Sequence, residues 1–200
     1  MNHAIDFHTT HSPLLTITPR KKTLHNQLVH VEEGKVLLKL GKNEYAYSAG
    51  DTFWLPFDCL SSLTLLPGSM FNTVKFSVRL ADKFPTQAGQ VKPSTLMSAL
   101  LYSLSRTDDA EVKKDLLQVM RHEVKVCKPV LKQDKESAEI TAWTPNSTSI
   151  TGELALVLLV REARKQKLSG KKSEAICQSL FSGNQEHFKQ LTTTLLGEAL

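Results

Sequence analysis

Cysteine is scarce in this chain and unpatterned. Cys59, Cys127 and Cys177 are odd in number, far apart and free of any C-x-x-C spacing. That excludes a disulfide framework and reads as three reduced thiols of a cytoplasmic protein. Long apolar runs are missing too: the longest, from Leu154 to Val160, is far too short to cross a bilayer. The opening MNHAIDFHTTHSPLL has neither a positive start nor an apolar block, against the expectation for a secretory leader. No His-x-His pair occurs among the 7 histidines, and no nucleophile with a base or pair of carboxylates stands out. The formal charge of +5 allows an anionic partner without requiring one. Two hundred residues suffice for one large or two small domains, each with its own core.

What is present changes period along the chain. In HNQLVHVEEGKVLLKLGKNEYAYSAGDTFWLPF, from His25 to Phe57, Val36, Leu38 and Leu40 alternate with Lys35 and Lys39, and Leu37 sits between them. This predicts a strand with one buried and one mixed face. A second strand, Tyr45 to Tyr47, follows the Gly41-Lys42-Asn43 turn, and Phe53-Trp54-Leu55 ends at Pro56, a residue for a strand end or edge. After Pro93-Ser94 the spacing becomes helical, with Leu96, Met97, Leu100, Leu101 and Leu104. Asp108-Asp109 opens a second helix, whose apolar face is Val112, Leu116, Leu117, Val119, Met120 and Val124. The stretch 127–151, with Pro129, Pro145 and many small polar residues, reads as a linker that Ile140, Trp143 and Ile150 pin to a neighbour.

The last fifty residues carry a second pattern. A helix from Gly152 to Leu168 is apolar in front and then bears Arg161, Arg164, Lys165 and Lys167, followed by Lys171 and Lys172. Ile176, Leu180, Phe188, Leu191 and Leu195 share one interior if a turn near Ser182-Gly183 joins two helices at an angle, a helix-turn-helix outline. The final helix then exposes Asn184, Gln185, Glu186 and Lys189. Asn and Gln pair with adenine, while Lys189, Arg161, Arg164, Lys165, Lys171 and Lys172 suit phosphates; an ordinary solvated face is the competing reading for each.

The strand–Gly34–strand–turn–strand–Gly50-Asp51–strand–Pro56 order resembles the cupin barrel, and more narrowly the N-terminal ligand-sensing domain of AraC-type transcriptional regulators. The tail is similar to the second DNA-binding helix-turn-helix of that family: Ile176-Cys177, Leu180, Phe188 and Gly197 fall on its pattern, as do Leu159, Arg161 and Ala163 within one position. It departs where Phe181 replaces the turn glycine, Ser182 the following Phe and Thr192 a core aromatic, and 130–150 holds no convincing copy of a first helix-turn-helix.

The resemblance implies an α+β protein, a cupin-like β-barrel followed by an α-helical C-terminal region. Residues 1–85 would be the sensor barrel, 86–126 a helical pair that either dimerises or covers a barrel face, 127–151 the linker and 152–200 the DNA-binding part. Metal-binding members use a His-x-His pair and later ligands; here His25 and His30 are five apart, Asp58 stands in a glycine position and Ser61 in that of the last His. No metal, cofactor or catalytic residue is therefore expected. His25, Gln27, Trp54 and Phe57 are candidates for a ligand pocket at the barrel mouth, with core packing equally open for the two aromatics. The expected partners are DNA, a small-molecule effector and a second copy of the chain, with no membrane. The alternative is a cupin-domain protein that modulates a partner regulator without binding DNA.

Overall fold

The computed structural model describes residues 4–200; residues 1–3, the start of the expected 1–85 unit, lie outside the described residues. Ten strands come first: β1 (Ile5–Ser12), β2 (Thr16–Ile17), β3 (Lys21–Lys22), β4 (Asn26–Glu33), β5 (Lys35–Leu40), β6 (Asn43–Ser48), β7 (Thr52–Leu55), β8 (Leu60–Leu65), β9 (Ser69–Phe76) and β10 (Gly89–Val91). Six helices follow: α1 (Thr95–Leu104), α2 (Ala110–Lys125), α3 (Lys135–Ala142), α4 (Gly152–Leu168), α5 (Ser173–Leu180) and α6 (Gln185–Leu196). The protein is α+β, strands first and helices after.

The strands form two antiparallel sheets, β1-β9-β4-β7-β10 and β2-β8-β5-β6, with β3 beside β8. Their facing sides enclose one core of Val29, Val31, Val36, Leu38, Tyr45, Tyr47, Phe53, Leu55, Leu65 and Phe71. The alternation read in β5 places Val36 and Leu38 in that core, while Leu37 points the other way into a separate cluster. Gly34 makes the β4–β5 corner at φ 73, where a Cβ would lie 2.7 Å from the Ser69 hydroxyl oxygen. Only glycine fits so close an approach in a left-handed backbone.

Each sheet has its outer face covered. Leu28, Trp54, Val74, Phe76 and Val91 of the first sheet pack beneath Met97, Leu100, Leu101 and Leu104 of α1 and Leu117, Met120 and Val124 of α2. Both helices start where the sequence predicts: the Ser94 hydroxyl accepts from the Met97 N–H, and the Asp109 carboxylate accepts from those of Glu111 and Val112. Leu37 of the second sheet, with Leu15 just before β2 and Leu66 just after β8, meets Ile140, Ile150, Val157, Leu158, Val160 and Leu195 of the tail. Ile140, Ile150 and Trp143 thus do fasten their segment to a neighbour. The stretch read as a linker, however, contains α3, which begins at the cap Asp134.

Between the last long strand and α1 the chain is tied down twice. Asp82, nearly buried, is gripped by Arg121 at 2.6 Å and Lys125 at 3.1 Å. Burial alone would raise its pKa, but hydrogen bonds from the two cations hold the carboxyl below the usual range. Gln90 and Val130 exchange backbone hydrogen bonds of 2.9 and 2.8 Å, and Gly89 at φ 149 lets the chains touch: a Cβ there would sit 2.5 Å from the Val130 carbonyl carbon.

Gly89→Ala should cost about 2–4 kcal/mol in urea unfolding, since neither backbone segment can yield without losing that bridge. For Asp82 the folded pKa is depressed, so its stabilisation is present above the ordinary carboxyl value and lost as pH falls through the folded one. Asp82→Asn should therefore lower stability by about 1–3 kcal/mol at neutral pH and flatten the decline of the melting temperature below about pH 4. An unchanged acid limb in the variant would contradict this assignment.

Candidate ligand chamber and nucleic-acid interface

The inner face of the two-sheet body is closed by large side chains. Tyr47 stacks on Phe53 with centroids 4.4 Å apart, and burial pushes the Tyr47 phenol well above its ordinary pKa. At one end Gln27, paired with Leu55 and Lys75, lies half-buried on the same side as Val29 and Val31. His25, just before β4, is half-buried near it in sequence, and Phe57 is half exposed, its N–H donating to the Asn26 side-chain oxygen at 2.9 Å. Trp54 does not belong to this end. Its neighbour Phe53 takes the inward position, so Trp54 faces outward, fully buried under α1 and α2, with its indole N–H donating to the Pro85 carbonyl at 2.9 Å.

His30 likewise faces outward, bonded through Nδ1 to the Thr52 hydroxyl at 2.8 Å. Among the described residues, no group of three His, Cys, Asp or Glu side chains is placed to hold a metal.

The tail forms a three-helix unit. Ala163 of α4, Ile176 and Cys177 of α5, Phe181 and Phe188 make its core, with Leu180 and Leu191 packed against it. Leu195 does not join this interior as expected from the sequence; it packs one turn further along against the barrel. The α5–α6 turn is built without the expected glycine. Phe181 closes α5 and folds inward against Phe188, centroids 4.8 Å apart. Ser182 and Gly183 then both take left-handed conformations, and the Gly183 N–H reaches back to the Cys177 carbonyl at 3.1 Å.

The expected nucleic-acid contacts separate by environment. Arg161 is not a free cation: its guanidinium is 2.7 Å from Glu44 and 3.4 Å from Thr64, both on the barrel, and the Glu44 side chain is only 5% exposed. Asn184 caps α6, its side-chain oxygen accepting from the His187 N–H at 3.0 Å, so that oxygen is already engaged. Lys165 pairs with Glu162 at 3.1 Å, and Lys171 bonds Gln166 and Ser179 at 2.9 and 3.2 Å. These are surface contacts, weak enough for an anion to displace. Arg164 is half-buried and Lys172, Gln185 and Lys189 are exposed, none of the three cations in an ion pair among the described residues. The exposed face of α6 runs on through Gln190, Thr193 and Thr194, residues outside the set expected from the sequence. Their spacing of four from Glu186, Lys189 and Gln190 was the available signal.

Glu44 is the hub between barrel and tail. Besides Arg161 it meets Lys39 at 3.2 Å; its backbone N–H donates to the Thr141 hydroxyl at 2.8 Å, and its carbonyl accepts from Gln133 and Thr141. Nearby, Lys35 pairs with Glu136 of α3, and the Leu15 N–H donates to the Leu195 carbonyl at the end of α6, 2.7 Å away.

Residues 2–123 match the family model described as the AraC-like ligand binding domain. No curated protein matches the chain in sequence. Among solved structures, an apo ToxT variant from Vibrio cholerae strain SCE256 is 11% identical, with 99% of this chain and 96% of that chain covered and a TM-score of 0.47. An RmlC-like cupin from Shewanella frigidimarina NCIMB 400 is 18% identical over 40% of this chain and 72% of its own, at a TM-score of 0.36. A cupin superfamily protein from Desulfitobacterium hafniense DCB-2 is 5% identical over 38% and 71%, also at 0.36.

Glu44→Ala should destabilise the protein by about 2–3 kcal/mol, because it leaves the Arg161 cation half-buried without a partner. Glu44→Met combined with Arg161→Met should restore most of that loss in chemical denaturation. Equal losses in the single and double variants would show that the pair itself does not matter.

Proposed function

Because the chain belongs to the family of AraC-like ligand binding domains, we propose that it is a transcriptional regulator in which occupancy of a small-molecule-sensing barrel is passed to a DNA-contacting helical tail. The observation that supports this best is the docking of the three-helix unit on the second sheet. Core packing, the Glu44–Arg161 pair and the Leu15–Leu195 hydrogen bond all cross that boundary, while the exposed face of α6 points its polar side chains into solvent. A shift of β6 on ligand binding would reach α3 and α4 directly. In this reading residues 1–85 sense, 86–126 cover the first sheet or dimerise, 127–151 link and 152–200 contact DNA, in the cytoplasm where the DNA is. Among the described residues, no helix is long and apolar enough to cross a membrane.

The roles follow from exposure. His25, Gln27 and Phe57 stand at the barrel end as ligand contacts. Gln185, Gln190 and Thr193 face a groove along α6, and Arg164, Lys165, Lys171, Lys172 and Lys189 hold phosphates. Arg161 transmits rather than binds, and Asn184 starts the helix.

One feature favours a second reading. Among the described residues the tail holds one three-helix unit, and α3, which precedes it, is laid along β6 instead. A protein that senses and pairs with a larger regulator, leaving DNA to that partner, fits this arrangement.

Gel shifts against the chain's own upstream region separate the two. Lys172→Ala and Lys189→Ala should each weaken binding across sequences and lower the salt slope by about 1, while Gln185→Ala should cost about 1–3 kcal/mol at one base position. No shift even at about 50 mM salt, with a larger regulator co-purifying, would support the partner reading.

A further inference from the structure

The two sheets treat their outer edges differently. The open side of β6 is sealed by α3: the Ala46 N–H donates to the Ser137 hydroxyl at 3.0 Å, and Thr141 serves Glu44 in the same way. The outer strand of the other sheet, β1, is eight residues long and bonded on one side only, to β9. The Ser77 N–H donates to the Ala4 carbonyl, which fixes the phase: even-numbered residues of β1 bond β9, and Phe7, Thr9 and His11 turn their N–H and C=O groups outward. Of these, only the Phe7 N–H has a partner among the described residues, the carboxylate of adjacent Asp6 at 2.9 Å. Thr9 and His11 are exposed. A long bare edge of this kind is a template for another strand.

We propose that β1 pairs antiparallel with β1 of a second copy about a two-fold axis through Phe7, so that the homodimer of this regulator is joined by a continuous sheet. The register is set by hydrogen bonding between Asp6 and His8. With Phe7 opposite itself, Asp6 of each copy faces His8 of the other, an attraction at both ends of the axis, whereas a register centred on His8 would set the two imidazoles against each other. Within one copy Asp6 already holds His8 at 2.7 Å, with both side chains about half exposed. The carboxylate that caps the Phe7 N–H is thus already oriented toward a histidine, and pairing exchanges that contact for one across the axis.

Between β1 and α2 runs a groove of about 500 Å³ floored by Ile5, Phe7 and Leu117 and rimmed by Glu111 and Lys114. The two-fold axis brings the α2 helices to the same side of the joined sheet, above the paired Phe7 side chains. Such an isologous contact is self-complementary and closed, so assembly stops at two.

This rests on the homodimer reading, and the experiment keeps the two apart. Light scattering of the full chain across a dilution series gives the monomer–dimer constant. Thr9→Pro removes an outward N–H together with the hydroxyl that donates to Asn72 at 2.7 Å, so Thr9→Val, which loses the hydroxyl alone, is its control: the two should melt alike, while only Thr9→Pro weakens the dimer about tenfold or more. Asp6→Cys with His8→Cys places a cysteine opposite its counterpart and should give a cross-linked dimer on mild oxidation. If the parent is a dimer that Thr9→Pro leaves intact and Val119→Glu on α2 dissociates, the β1 interface is wrong and the helix pair is the interface. If the parent is monomeric at every concentration and the cysteine variant stays uncross-linked, both the β1 pairing and the homodimer fail.

Discussion

The architecture depends on how the open edge of β6 is satisfied. A strand that ends a sheet presents backbone groups that must bond to something, and here helix α3 takes the place of the missing strand with side-chain hydroxyls. Ser137 and Thr141 are four apart on the helix, roughly 6 Å along its axis. Glu44 and Ala46 are two apart on the strand, roughly 7 Å. The two repeats match closely enough for both N–H groups to be served, and Gln133 completes the set at the Glu44 carbonyl. The segment that looks least organised in sequence therefore fixes where the tail begins.

That constraint passes into the rest of the tail through Glu44. Its backbone belongs to the α3 seal and its carboxylate to Arg161 of α4, so one residue of the barrel edge holds two successive helices. At the far end Gly197, left-handed at φ 79, closes α6 so tightly against the barrel that an added Cβ would lie 2.8 Å from Leu14. The tail is consequently keyed to the second sheet at α3, at the middle of α4 and at the end of α6. A displacement of β6 cannot be absorbed by a loose linker, and it must move α4 or break the ion pair.

Elements built on local chemistry were legible in the sequence. The caps Ser94 and Asp109, the corners at Gly34 and Gly50 and the apolar spacing of α1 and α2 all declare themselves within a few residues. Features that depend on a distant partner were not. Phe53 and Trp54 are adjacent and equally apolar, and only the register of β7 against β4 and β10 decides that Phe53 turns inward and Trp54 outward. Arg161 looks like the other cations of its helix until Glu44 approaches from more than a hundred positions away. Helix α3 was invisible because it buries little besides Ile140; its contribution is polar and no hydrophobic period announces it. In the turn, Phe181 supplies the packing and Ser182 with Gly183 the left-handed backbone, so the outline survives a glycine displaced by two positions.

Removing Arg161 and Asn184 from the contact set changes what the tail can do alone. The remaining cations proposed to meet phosphate lie at the end of α4, the start of α5 and the first turns of α6, and Lys165 and Lys171 are held in surface contacts. Each phosphate contact adds to affinity through released counterions, and a unit with only a few of them binds duplex weakly at physiological salt. For such a unit, useful occupancy requires that a second one be held at a fixed distance, so that the second contact becomes intramolecular. The rigid keying of tail to barrel provides this in any two-fold dimer of barrels, because the barrel contact then sets the separation of the two α6 helices. In the proposed regulator, altering the angle of the tail at Glu44 would change the spacing between α6 helices, and recognition of two half-sites would fail without either unit losing its fold.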